Sequence, residues 1–284
     1  MRTRRILANS AVHVLLAVLS FIWVLLIVFA ILTSLRAESG GAKSYIIPKQ
    51  FTLSNYTALF TSSVGGLTYA RWFGNTLVVA IFSCLLSVFF ILSVSYALSR
   101  MRFRMRRPFM NLALILGMFP GFMSMIAVYY ILKGFGFLET GFSSLFSLIL
   151  VYSGGAGLGF YVTKGFFDTI PKSLDEAAYL DGCTNWQVFT KITLPLSKPI
   201  AVYTLIVSFM APWTDFIFAK VILGQNREYY TIAIGLWTML EREFIETYYT
   251  QFFAGCILIS IPITVLFVLT QRFYTSVMAG AVKG

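Results

Sequence analysis

Residues 73–107 read FGNTLVVAIFSCLLSVFFILSVSYALSRMRFRMRR, an apolar run that ends in a cluster of arginines. The part 73–98 contains no charged residue, and it exceeds the roughly 20 apolar residues that a helix needs to cross a bilayer. Five arginines follow within residues 100–107. Such a cluster resists translocation and attracts anionic headgroups. This stretch therefore predicts a membrane-spanning helix whose arginine-rich end lies in the cytoplasm.

The whole chain has the composition of an integral membrane protein. Of its 284 residues, 58% are hydrophobic and 12% are charged, and the mean hydropathy is +0.81. Soluble domains are roughly 45–50% apolar and about 25% charged. The net charge of +11 needs no nucleic-acid partner if the basic residues lie in cytoplasmic loops. Cys84, Cys183 and Cys256 lack metal-ligand spacing, so we expect free thiols and no metal site.

Apolar runs of membrane-spanning length recur along the chain and predict an all-α integral membrane protein with six transmembrane helices in a single domain, residues 1–284. The predicted spans are residues 11–35, 73–98, 109–132, 142–162, 200–223 and 252–273. An even number of spans places both termini on one side. With the termini in the cytoplasm, fourteen of the 22 lysines and arginines lie inside, as the positive-inside rule requires. The sequence predicts a multi-pass membrane protein with both termini cytoplasmic.

The cytoplasmic loop at about 164–199 is more polar than its neighbours but carries a helical pattern. Ser173, followed by two acidic residues, favours the start of a short helix. Gly182 then provides the backbone freedom for a sharp turn, and helical spacing of apolar residues resumes up to Pro195. The loop is predicted to be a helix, a turn and a second helix, which would form a small rigid projection at the inner membrane face.

This loop resembles the EAA loop of binding-protein-dependent permeases of ATP-binding-cassette (ABC) importers. The positions that carry the resemblance are Glu176, Ala177, Ala178, Asp181, Gly182, Ile192, Leu194, Pro195 and Pro199. The chain is most similar to the MalG-type subunit of maltose and maltodextrin importers, also at 163–170, 230–235 and 279–284. The resemblance implies the type I ABC importer permease fold, a location in the bacterial cell membrane and transport of an oligosaccharide, with maltose or maltodextrin favoured.

The family also implies roles for particular residues. The EAA positions would couple the chain to a cytoplasmic ATPase subunit, and the tail Val282, Lys283 and Gly284 would reach the ATPase interface. A loop with Tyr230, Thr231, Gly235 and Leu236 would contact the binding protein. The implied partners are a second, MalF-type permease subunit, two ATPase subunits, an extracytoplasmic solute-binding protein, the oligosaccharide and membrane lipids. The chain itself would be no enzyme and would hold no cofactor, since the partner ATPase would bind ATP and Mg²⁺.

One acidic residue lies inside a predicted span. Asp215 is a candidate for the translocation path, because a carboxylate within the membrane is costly unless it is paired or hydrated. The alternative is a structural pairing with Lys220 or with a polar group of a partner. Direct pairing with Lys220 is awkward, because five residues correspond to about 140° around a helix.

Other functions stay open at this point. The substrate could be another oligosaccharide, such as a galacto-oligosaccharide. An ion-coupled secondary transporter would need more charge within its spans than Asp215 alone supplies. A membrane-embedded enzyme would need clustered His, Asp, Glu or Cys near the midplane. For the loop, the alternative is a helix pair that lies on the inner leaflet and binds no partner.

Overall fold

The computed structural model describes residues 2–64, 66, 68–154 and 157–281. In these ranges the chain is helical, apart from its loops and an isolated β-bridge between Arg36 and Phe51. The first seven helices are α1 (Arg2–Ser34), α2 (Ser54–Thr61), α3 (Tyr69–Arg100), α4 (Arg106–Gly117), α5 (Gly121–Gly134), α6 (Gly141–Gly154) and α7 (Gly157–Thr169). The next are α8 (Lys172–Leu180), α9 (Asn185–Val188), α10 (Leu194–Leu196), α11 (Lys198–Thr214), α12 (Ile217–Leu223), α13 (Ile232–Met239) and α14 (Ile245–Ala281). A π-helical segment, Phe189–Thr193, joins α9 to α10, and a 3-10 turn, Arg227–Tyr229, precedes α13. The all-α fold class is confirmed.

Several helices are long and apolar enough to cross a membrane. Four stretches in the described part of the chain qualify as they stand, namely Val12–Ser34, Tyr69–Arg100, Gly141–Thr169 and Ile245–Gln271. Two bent pairs of helices also qualify, namely Arg106–Gly117 with Gly121–Gly134, and Asn185–Leu196 with Lys198–Thr214. The total reaches six if each bent pair is one span.

The predicted third span, 109–132, is broken. Helix α4 ends at Gly117 and α5 begins at Gly121, and their axes differ by 108°. Pro120 occupies the N-cap position of α5. Proline disfavours helical backbone at the residue before it, so the break falls where Pro120 requires it.

The predicted fifth span, 200–223, is also interrupted. Helix α11 ends at Thr214, and Asp215 has an extended backbone with φ −83° and ψ 112°. The Asp215 carboxylate accepts a hydrogen bond from the Phe218 amide at 3.0 Å, in the first turn of α12. Asp215 therefore separates two helices and satisfies a free amide of the second one.

One face of α3 is built for close packing. Ser83, Ser87, Ser95 and Ser99 are all buried, and their spacing in multiples of four places them on one side of the helix. Ser87 Oγ donates to the Tyr152 carbonyl at 3.2 Å, and Ser95 Oγ donates to the Phe160 carbonyl at 3.1 Å. Small hydroxyl side chains allow membrane helices to approach closely and to hydrogen-bond across the contact.

The chain forms two compact units, each assembled from separate parts of the sequence. The first comprises 1–70 and 235–261, and the second comprises 71–234 and 262–284. In the first unit, Asn55 Nδ2 donates to the carbonyls of Ser34 and Arg36, and Asn55 Oδ1 accepts from Thr250. The Glu246 carboxylate accepts from the Gly41 amide at 2.8 Å. This network ties the loop after α1 to the start of α14.

In the second unit, Gly141 at the start of α6 lies directly against the ring of Tyr229. Two matched glycine substitutions test this contact. A Cβ at Gly141 would overlap the ring of Tyr229, whereas a Cβ at Gly121 would meet nothing within 4 Å. We expect Gly141→Ala to destabilise the chain by about 1–3 kcal/mol through overpacking, and Gly121→Ala to leave its stability unchanged or slightly raised. Thermal unfolding of both variants in detergent checks this, and equal midpoints would contradict the packing.

Candidate functional site

The loop between α7 and α11 turns at Gly182. Helix α8 ends with Asp181 at its C-cap, and Gly182 follows with φ +81°. The Cys183 amide donates to the Ala178 carbonyl at 2.9 Å, and the Gly182 amide donates to the Tyr179 carbonyl at 3.1 Å. These two bonds form a Schellman motif, which closes a helix on a residue of left-handed conformation. The turn predicted at Gly182 is confirmed.

The second helix of the loop begins with a capping box. Thr184 Oγ1 accepts from the Gln187 amide at 3.3 Å, while Gln187 Oε1 accepts from the Thr184 amide at 2.8 Å. This reciprocal pair satisfies two free amides at a helix start. The first helix differs from prediction. It begins at Lys172 with Pro171 at its N-cap, and Ser173 lies inside it and makes no cap. Pro171 disfavours helical backbone at Ile170 and so separates α7 from α8 at this point.

An apolar cluster fixes the base of this helical loop to the spans. Tyr96 of α3, Phe167 and Ile170 at the end of α7, Phe189 and Ile200 are buried against one another together with Leu92. The Tyr96 and Phe189 rings lie 4.8 Å apart, and the Tyr96 hydroxyl donates to the Asn185 carbonyl at 3.2 Å. Contacts from several elements leave the loop little freedom to move separately from the helices that carry it.

A buried ion pair adds a polar connection at the same base. Arg100 Nε, at the end of α3, lies 3.1 Å from Asp175 Oδ2 in α8, and the two side chains are 3% and 7% exposed. Arg100 Nη2 also donates to the carbonyls of Phe167 and Ile170 at 2.9 and 2.8 Å. Arg100 thus joins α3, the end of α7 and α8. Sequence reasoning used Arg100 for topology and Asp175 only as a helix-start acid, and missed that they form a pair.

The side of α8 that faces away from this base is exposed. Glu176, Ala177, Asp181 and Gly182 are exposed, whereas Ala178 is buried. Leu180 is 90% exposed, and Trp186 at the start of the second helix is 64% exposed. Leu180 and Trp186 are exposed apolar side chains on a polar loop, and such side chains are typical of surfaces that bind another protein. Of the other predicted coupling residues, Ile192 and Leu194 are half-buried and Pro195 is exposed.

Asp215 has partners within the chain. Tyr152 in α6 donates its hydroxyl to Asp215 Oδ2 at 2.7 Å, and the Phe218 amide donates to Oδ1. Lys220 is not its partner, because the Lys220 ammonium donates to the Tyr230 hydroxyl at 2.6 Å and lies over that ring. Tyr152 also lines a cavity of about 280 Å³. Other residues of its lining are Ser87, Tyr203, Thr204 and Ser208. A role of Asp215 in translocation stays a prediction.

The residues predicted to contact a binding protein are buried. Tyr230, Thr231, Gly235 and Leu236 all lie beneath the surface, and the next residue, Trp237, is 54% exposed. Asn75 Nδ2 donates to the Tyr230 carbonyl at 3.1 Å. The predicted tail contact of Val282, Lys283 and Gly284 falls outside the described residues.

The sequence of this region matches a family model. Residues 89–278 match the family described as "Binding-protein-dependent transport system inner membrane component", a range that contains the helix–turn–helix loop and Asp215. The chain belongs to this family. It is a membrane permease subunit of a binding-protein-dependent ABC importer of carbohydrate type.

Relatives along the full length support the same class. The galactooligosaccharides transport system permease protein GanQ of Bacillus subtilis is 34% identical over 286 residues, with 100% of this chain and 99% of the relative covered. The maltodextrin transport system permease protein MdxG of the same organism is 30% identical, with 99% of each chain covered. A crystal structure of a bacterial ABC transporter that imports alginate has a chain with a TM-score of 0.77 and 21% identity. The match covers 96% of this chain and 98% of that one, and it shows that the fold is that of an ABC importer permease.

The turn at Gly182 predicts that alanine destabilises the protein there but not at Gly165. Gly182→Ala meets no neighbouring atom within 4 Å, so its expected cost of about 1–2 kcal/mol comes only from the left-handed backbone. Gly165→Ala, in α7 and equally free of contacts, should be neutral or mildly stabilising. Thermal unfolding midpoints and protection of the Cys183 amide from hydrogen exchange check this. Unchanged protection in Gly182→Ala would contradict the turn assignment.

The buried pair of Arg100 and Asp175 predicts that substitutions at the two residues have non-additive effects on the free energy of unfolding. Arg100→Met leaves a buried carboxylate without its partner, and its expected cost is about 3–5 kcal/mol. Adding Asp175→Asn should recover part of this loss, with a coupling energy of about 1–3 kcal/mol. Lys164 and Asp168 provide the control, because this i,i+4 pair at 2.5 Å is more exposed, at 14% and 42%, and its coupling should stay below about 1 kcal/mol. Equal coupling in the two double-mutant cycles, measured by thermal unfolding, would refute a special role for Arg100.

Proposed function

We propose that this chain forms one half of the membrane pathway of an oligosaccharide importer, and that the loop Lys172–Leu196 transmits the motion of ATPase subunits to the spans. The observation that carries the proposal is that the loop is packed firmly against the spans at one side, its base, while Leu180 and Trp186 are exposed at the other side, its tip. Arg100 and the Tyr96 cluster hold the loop to three helices, while Leu180 and Trp186 project from it. A rigid projection can move the spans when a partner moves it, whereas a flexible loop would absorb the displacement.

The proposed assembly contains a second, MalF-type permease subunit, two ATPase subunits and an extracytoplasmic solute-binding protein. ATP and Mg²⁺ would bind to the ATPases, and this chain would only conduct the sugar. The arginines at 100–107 support an orientation with both termini in the cytoplasm, which puts the loop on the side where ATP is available. The coupling residues are Glu176, Ala177, Ala178, Asp181, Gly182, Ile192, Leu194 and Pro195.

The relatives support a proposed substrate class. Permeases named for galacto-oligosaccharides and for maltodextrins match this chain along its whole length at 34% and 30% identity. A neutral oligosaccharide of one of these two kinds is therefore the proposed cargo. The cavity beside Tyr152 supports a pathway role, because Tyr203 and several hydroxyl-bearing residues line it, and small-molecule pockets are typically lined by aromatic side chains with a few polar groups. Asp215, which holds the Tyr152 hydroxyl, belongs to this proposed pathway.

The coupling role predicts that one exposed leucine of the loop matters and that another does not. Leu180→Asp should lower copurification of co-expressed ATPase subunits at least about tenfold, because apolar anchors at the centre of an interface dominate its energy. Leu196→Asp is the control, since Leu196 is 50% exposed in the same loop but away from the tip. Both variants should still copurify the second permease subunit. Equal loss in both would contradict a specific docking tip and favour a loop that lies on the lipid surface.

Uptake by the complete system tests the transport class. Cells carrying it should accumulate labelled maltotriose or galactotriose only when the ATPase hydrolyses ATP, and Leu180→Asp should abolish that uptake. Competition between the two sugars identifies the preferred substrate. Uptake that persists without an active ATPase would refute the proposal and support an ion-coupled transporter.

A further inference from the structure

The segment that joins α3 to α4 collects positive charge in an open groove. Met101, Arg102 and Phe103 continue from the end of α3 without helical structure, and α4 begins at Arg106. An open groove of about 500 Å³ is formed by this segment alone. Its lining residues are Arg102, Phe103, Arg104, Arg106 and Arg107. Four arginines therefore line one open space at the end of a membrane-spanning helix.

Three of these arginines differ from Arg100. Arg100 is buried and paired with Asp175, so its charge is used within the chain. Arg102, Arg104 and Arg107 are exposed. Within the described residues, the ion pairs found are Arg100 with Asp175 and Lys164 with Asp168, so no carboxylate there lies within 4 Å of these three. Their charge is directed outward.

The groove also has apolar neighbours that favour a lipid as its occupant. Phe103 and Met105 alternate with the arginines and are 44% and 62% exposed. Helix α4, which follows directly, has no buried residue, and its apolar side chains, such as Leu112 and Ile115, are 55% exposed. Apolar side chains beside guanidinium groups match a membrane interface, where the first enter the acyl region and the second bind phosphate oxygens in bidentate fashion.

We propose that Arg102, Arg104 and Arg107 form a binding site for the headgroup phosphate of an anionic phospholipid at the junction of α3 and α4. Neighbouring Phe103 and Met105 contact the upper part of the acyl chains. The site is independent of the proposed transport function, because its ligand is a component of the bilayer and its detection requires no partner subunit. The site also lies close in the chain to Arg100, at the end of α3.

The test uses the full chain reconstituted in an equal mixture of phosphatidylglycerol and phosphatidylcholine. The measured quantity is the ratio of the two lipids that stay with the chain after mild detergent extraction. Arg102→Gln/Arg104→Gln/Arg107→Gln should lower the enrichment of phosphatidylglycerol tenfold or more, since each basic residue contributes about fivefold. Replacement of the same three residues by lysine should retain much of the enrichment, and high salt should reduce it in the unaltered chain.

The control removes equal charge elsewhere, through Lys43→Gln/Lys49→Gln/Lys133→Gln, all at exposed positions, and should leave the enrichment unchanged. If the triple glutamine variant unfolds, Arg104→Gln alone should still give about a fivefold decrease. Equal loss in the control would overturn the site in favour of diffuse attraction. Displacement of the lipid by millimolar inorganic phosphate would overturn it in favour of a soluble anion. Unchanged enrichment in the glutamine variants would overturn it outright.

Discussion

Arg100 places one guanidinium group among a carboxylate and two backbone carbonyls, and the arrangement of the cytoplasmic loop depends on it. The last carbonyls of a helix lack partners within that helix and carry its negative dipole end, so the end of α7 is a natural acceptor for an arginine. Arg100 donates to Phe167 and Ile170 there. The remaining charge of the guanidinium is balanced by Asp175. A buried charge without such partners would be strongly destabilising, so α3, α7 and α8 keep this arrangement together.

The consequence is a loop with two mechanically different sides. Its inner side consists of the buried pair and the cluster around Tyr96 and Phe189, where close packing permits little independent movement. Its outer side ends in a Schellman turn at Gly182 and presents Leu180 to its surroundings. Force applied to the outer side therefore reaches the membrane helices directly. This is what a coupling element between an ATPase and a permease requires.

Several polar groups elsewhere in the spans also find partners inside the protein, because the bilayer core offers none. Ser87 and Ser95 of α3 donate to carbonyls of α6 and α7. Asp215 accepts from Tyr152 and caps α12, so the break in the predicted fifth span satisfies the backbone that it exposes. The break after Gly117 is of another kind, since it is caused by Pro120 and not by a side-chain cap.

The sequence by itself determined the membrane class, the approximate places of the helices, the helix–turn–helix loop and the need for glycine at 182. Each of these follows from local composition or periodicity, which a single chain displays directly. The predicted start of α8, with Ser173 as its cap, lies two residues too late, because α8 begins directly after Pro171. Only the tertiary structure decided three other features. Arg100 pairs with Asp175, 75 positions away, and Asp215 pairs with Tyr152, 63 positions away, and local spacing does not encode such distant contacts. The burial of Tyr230, Thr231, Gly235 and Leu236 depends on which neighbours cover them, which local spacing does not encode either. Five arginines lie within residues 100–107, and the sequence does not distinguish them. The packing around α3 buries Arg100 against Asp175 and leaves Arg102, Arg104 and Arg107 exposed.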